Sequence, residues 1–221
     1  MKAKCSATSV LPSQVFTFLI VVFITMPVSA QRYNFNIGGG PGFSLDRTSD
    51  FASTSYNFVL GAGPNVLPHL KMNAEFMFHG LPIHQSIVDQ VGVSKMKGRF
   101  YSLTGNLILG SSFGGNKSAY LIGGGGWYRR TVEAQRTVLQ AGEICEPIWI
   151  WWNVECINGI FPTDVTIGSS TSSAPGFNVG AGLGFRLGES NANFYTEVRY
   201  HRAFTRNIDT IVMPITFGIR W

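Results

Sequence analysis

Four groupings of residues have the types that chemistry needs. His84-Gln85-Ser86 offers a base and a hydroxyl nucleophile, as a hydrolase or acyltransferase requires, but no motif of fixed spacing surrounds it. Glu197 and His201 are four apart, a spacing that aligns on a helix; on a strand they share a face about 13 Å apart, which suits interior ion pairing better than catalysis. Cys145 and Cys156 are the third grouping. Two thiols with no nearby histidine or second cysteine pair make only half a tetrahedral zinc site, so a loop-closing disulfide is expected. The last is glycine: Gly180-Ala181-Gly182-Leu183-Gly184 and Gly123 to Gly126 match neither a dinucleotide nor a phosphate-loop pattern, and each continues an apolar alternation. No catalytic residue, cofactor or metal is expected.

The elements that must position these residues begin with the chain's destination. Lys2 and Lys4, the apolar run Val15 to Met26 and the small-residue end Pro27-Val28-Ser29-Ala30 have the layout of a secretory signal peptide, residues 1–30, cleaved after Ala30. Cys5 precedes the apolar run and no lipoprotein start follows, so no lipid anchor is expected. An oxidising destination favours the Cys145–Cys156 bridge. Without Lys2 and Lys4 the chain keeps 15 basic residues against 12 acidic ones. That balance is too mild, and too free of basic stripes with interleaved aromatics, for a nucleic-acid partner.

The composition is 45% hydrophobic and only 13% charged, which excludes disorder. After residue 30 no segment is long and apolar enough for a membrane helix; the apolar residues recur at every second position instead. Phe177, Val179, Ala181, Leu183, Phe185 and Leu187 share one face, as do Ile211, Met213, Ile215, Phe217, Ile219 and Trp221. Eight such strands are expected, at roughly 33–45, 54–63, 69–81, 98–111, 118–130, 174–187, 193–204 and 211–221. Each has about the length a tilted strand needs to cross a bilayer, and short turns alternate with longer loops. The expected fold is all-β: residues 31–221 as an eight-stranded antiparallel up-and-down transmembrane β-barrel. Lipid cannot satisfy a free strand edge, so the last strand must pair with the first. The alternative weighed is a soluble barrel of lipocalin size, which would bury its apolar face inward.

The signal peptide, the glycine-rich opening strand Tyr33 to Phe43, the stretch Phe194 to Phe204 and above all Met213 to Trp221 resemble the small bacterial outer-membrane β-barrel family, akin to the transmembrane domains of outer-membrane proteins A, X and W. Phe217, Ile219 and Trp221 look like that family's C-terminal insertion signal, with Trp221 where phenylalanine is more usual. The resemblance implies export through the general secretory pathway, both termini in the periplasm, and contact with outer-membrane lipid and lipopolysaccharide. It also implies handling by the barrel-assembly machinery and periplasmic chaperones. An extracellular ligand remains open. A chain ending at Trp221 carries the expectation that no peptidoglycan-binding domain follows.

With the apolar faces toward lipid, Lys71, Asn73, Glu75, His79, Arg186, Glu197, Arg199, His201 and Arg220 point into the bore. An eight-stranded barrel is just wide enough for its own side chains, so these charges are expected to pair and plug it. Glycines on the inner face make room for large neighbours on that reading; the alternative is a narrow channel for small or hydrophobic solutes. Loop 131–173, with Trp149, Trp151 and Trp152 between the cysteines, is expected outside, with a stapled hairpin as one form it can take. Its tryptophans either meet a partner, glycan or headgroup belt or cap the barrel mouth. The function expected is structural or surface-interacting and non-enzymatic, ahead of the narrow channel and of a lipid-modifying enzyme.

Overall fold

A computed structural model describes residues 33–221 apart from 114, 148–153, 189, 191 and 207; for 144–147, 154, 155 and 157 the description is of the backbone alone. The signal peptide expected over 1–30 and the three tryptophans Trp149, Trp151 and Trp152 lie outside the described residues.

The period-2 alternation produces eight antiparallel strands: β1 Tyr33–Ser44, β2 Ser55–Leu67, β3 Leu70–Pro82, β4 Lys95–Phe113, β5 Lys117–Pro147, β6 Val154–Arg186, β7 Asn193–Ala203 and β8 Thr210–Arg220. Each pairs with its neighbour in sequence, and β8 returns to β1 to close the ring. At the seam, Asn36 faces Arg220 and Ser44 faces Val212. Phe35 and Trp221 exchange backbone hydrogen bonds of 2.8 and 3.0 Å, and their rings stack with centroids 6.2 Å apart. Short turns join strands at one end. The other end carries a 3-10 turn, Asp46–Thr48, and a helix, α1, Gln85–Val91. Expected only as loop, α1 is stopped by Gly92, whose φ of 71° is open to glycine at little cost.

Strand length departs most from expectation in the middle of the chain. β1 to β3, β7 and β8 are 11 to 13 residues long, but β5 and β6 run to 31 and 33. Residues 131–147 and 154–173 are therefore strand and not loop. They continue both strands in register from Thr131 opposite Thr171 to Pro147 opposite Val154, with one irregularity at Ala134/Gln135. Beyond the last pairing of β4, at Gln135, the hairpin stands as a two-stranded ribbon. Twelve residues per strand make it about 40 Å long. With no face buried against a core, it needs no alternation, and this hid it in the sequence.

The wall is apolar outside and mostly polar inside. Ile37, Leu60, Phe76, Leu103, Leu121, Val198 and Phe217 are exposed, while Asn36, Asn73, Glu75, Asn106, Asn178 and Glu197 are buried. This inverts a soluble barrel, and it is stable only where the surroundings are hydrocarbon. Toward the long-loop end the outer band closes on an arc of rings, Tyr56–Phe78–Tyr101 and Tyr200–Phe177–Phe204, with successive centroids 5.3 to 6.2 Å apart. One pleat farther along β4, Arg99 pairs with Glu133 at 3.4 Å. Aromatics followed by charge mark the rim of a membrane-spanning band. A hollow of about 670 Å³ opens on this apolar wall among Leu109, Leu121, Leu183 and Val198, where acyl chains pack in a bilayer.

Candidate functional site

Charge is concentrated at the centre of the bore. β3 sends Glu75 inward and β7 sends Glu197 and Arg199, because alternate residues of one strand share a face. Arg199 donates through both terminal nitrogens to Glu75, the Nη2–Oε2 contact being 2.9 Å, and through Nε to Glu197. Glu75 also accepts from Asn36 at 3.2 Å, and Asn36 in turn accepts from Asn73 at 2.7 Å. Glu197 accepts from the Tyr120 hydroxyl at 2.9 Å and lies 3.6 Å from Nη2 of Arg220. The Arg220 guanidinium is held between two rings, with its carbon 4.7 Å from the centroids of both Tyr120 and Tyr195. Two carboxylates and two guanidiniums thus balance in charge, with Glu75, Glu197 and Arg199 buried in the bore and Arg220 on its short-turn side.

Toward the long-loop end the bore is closed by packing. Val59, Met77, Leu81, Phe100, Tyr128 and Val212 form an inward-facing apolar cluster, with Phe100 and Tyr128 stacked at 5.5 Å. His201 meets the Tyr128 hydroxyl at 3.3 Å. Sequence reading missed this plug, since it assigned the apolar residues to the lipid face. The inward parity of Met77, two residues from both Glu75 and His79, was the available signal.

Glycine serves this packing. A Cβ on Gly42 would strike the ring of His79, and one on Gly182 would strike the phenol of Tyr120 and lie 2.9 Å from the Thr196 carbonyl oxygen. Gly182→Val is therefore expected to cost about 1–3 kcal/mol by overpacking, read as a lower urea midpoint in vesicles. An unchanged midpoint would mean that the bore has free space at Tyr120.

No family model matches the sequence, and no curated protein matches it at the sequence level. Solved structures do. Neisserial surface protein A is similar over 85% of this chain and 95% of its own, with a TM-score of 0.54 at 10% identity. A major outer membrane protein from Thermus thermophilus is similar over 86% of this chain and 98% of its own, with a TM-score of 0.51 at 9% identity. The fold is that of the small outer-membrane β-barrels. At such low identity the likeness covers the architecture alone, so the site must be read from this barrel's own residues.

Of the charges expected to cluster, this outer-membrane-type barrel brings together Glu75, Glu197, Arg199 and Arg220. The expectation that all would pair is corrected for the rest. Lys71 and Arg186 stand at the short-turn mouth, and no ion pair joins either to an acid among the described residues. His201 belongs to the plug, and Glu197 takes Arg199 as its ionic partner instead. Phe217, Ile219 and Trp221 project outward from the last strand. His84 does not engage Ser86. Its ring nitrogens lie 3.1 Å from the Ser53 hydroxyl and 3.1 Å from the Ser49 carbonyl, tying two loops together. On the ribbon the register sets Cys145 directly opposite Cys156. The ribbon also exposes Leu139 and Ile160. Gly123 and Gly125 fall on the outer face of β5, because Tyr120, Ile122 and Tyr128 are buried inward.

Proposed function

We propose that this chain is an integral outer-membrane protein, non-enzymatic, whose closed barrel anchors a surface-interaction arm formed by the β5–β6 ribbon. One observation carries the reading: paired strand continues for twelve residues past the barrel on each side, with the large apolar side chains of Leu139 and Ile160 uncovered. Beyond its base, where the Thr137 N–H donates to Ser94 Oγ, the ribbon adds no strand to the barrel wall, and exposed apolar residues on a projecting hairpin fit contact with a partner. The plugged bore supports an anchor over a pore.

On this reading the short turns and both termini face the periplasm, and residues 1–30 direct export by the general secretory route. The wall meets outer-membrane lipid and lipopolysaccharide. Periplasmic chaperones and the barrel-assembly machinery engage the final strand through Phe217, Ile219 and Trp221. A Cys145–Cys156 bridge staples the arm near its tip, where Trp149, Trp151 and Trp152 add to the contact surface for an extracellular ligand.

Trypsin added to intact cells tests the display. It is expected to cut within the arm at Arg136 and leave a protected barrel fragment; an uncut protein that becomes cleavable only after the outer membrane is opened would place the arm on the wrong side. In planar bilayers the purified protein should give no conductance steps above leak. Steady steps would instead support the narrow channel for small or hydrophobic solutes.

A further inference from the structure

We propose that the short-turn mouth of the bore, periplasmic on the reading above, is a binding site for a phosphate-class oxyanion. The mouth is a cavity of about 410 Å³. Lys71, Lys117, Arg186 and Arg220 line it, and no carboxylate does among the described residues. The ionic cluster that reaches the mouth through Arg220 is already balanced in charge: Arg199 answers Glu75, and Glu197 is shared between Arg199 and Arg220. Lys71, Lys117 and Arg186 are thus three cations in excess, converging on one recess.

Arg220 gives the second, independent sign. It is only 5% exposed, yet its Nε and Nη2 have no hydrogen-bond partner. The Glu197 oxygen at 3.6 Å is too far to accept from Nη2. Buried guanidinium donors left unmet are costly, and the planar fork of an arginine suits two oxygens of a tetrahedral oxyanion. With Tyr120 and Tyr195 holding the guanidinium by its faces, its edge is what remains to bind. Ser118, also on the wall, supplies a neutral donor. Several cations around one recess favour a multiply charged anion over chloride. The volume leaves room for a phosphate group either free or carried on a phosphodiester headgroup.

The test is a titration of inorganic phosphate into the purified protein in a neutral sugar detergent at low salt, followed by calorimetry. Saturable binding is expected, weakened at least about tenfold in the double variant Lys71→Gln, Arg186→Gln, whose positions lie outside the ionic cluster. Heat-modifiable gel mobility checks that this variant is folded, and Lys97→Gln, on the far end of β4, should bind as the parent does. Absence of saturable binding, or affinity equal in the double variant, overturns the site. Glu189 lies outside the described residues in the adjoining turn of the sequence, so Glu189→Gln is titrated too. Binding seen only in that variant would mean that the chain neutralises its own cations, and the proposal fails. Competition by glycerophosphoglycerol then separates the sources: displacement assigns the site to a lipid-type phosphodiester, and no displacement to free phosphate.

Discussion

Replacing Arg199 by methionine is expected to destabilise the barrel by about 3–5 kcal/mol, because it strips Glu75 of its ionic partner in a bore that excludes water. Glu197 keeps Arg220 nearby, at 3.6 Å, so the cost falls mainly on Glu75. The comparison that makes the prediction sharp is the double variant Glu75→Leu, Arg199→Met. It removes one charge of each sign and leaves Glu197 with Arg220, so most of the lost stability should return. Urea unfolding in lipid vesicles measures both. If the single variant unfolds like the parent, the bore is wet enough to solvate a bare carboxylate, and the description of a closed plug is wrong.

A pair of leucines tests the surroundings of the wall. Leu60 sits midway along β2, 52% exposed between Ile37 and Phe76 on the flanking strands; Leu139 lies on the ribbon, 76% exposed. By accessibility alone the two should tolerate arginine alike. With Leu60 in the hydrocarbon and Leu139 in water, Leu60→Arg is expected to cost about 2–4 kcal/mol, whereas Leu139→Arg stays within about 0.5 kcal/mol. Equal and small effects at both positions would show that the outer wall faces water and would revive a soluble barrel.

Strand number, pairing order and the outward face of β6 to β8 were legible in the sequence, because a wall between two unlike media forces strict alternation on every strand that separates them. Glu75, Glu197, Arg199 and Arg220 could be placed inside for the same reason. What failed to show was whatever escapes that constraint. The ribbon packs neither face on a core, so Thr131 to Pro147 carries no pattern that tells strand from loop. Phe100 and Tyr128 point inward against their chemistry, and only their partners across the bore explain them. Nor could strand periodicity separate Lys71 and Arg186, at the mouth, from the charges that pair deeper in. Depth along a tilted strand depends on the stagger of the whole ring.

The β1–β8 seam also sets the order of events during folding. It joins Asn36 to Arg220, so nearly the entire chain must be present before the ring can shut. The β5–β6 hairpin, by contrast, joins near neighbours through 31 successive pairs and costs little loop entropy to form. Hairpin formation is therefore expected early and seam closure last. Until that final step, β1 and β8 present unsatisfied backbone along their full length, and a stalled intermediate has two sticky edges through which it can recruit another copy of itself.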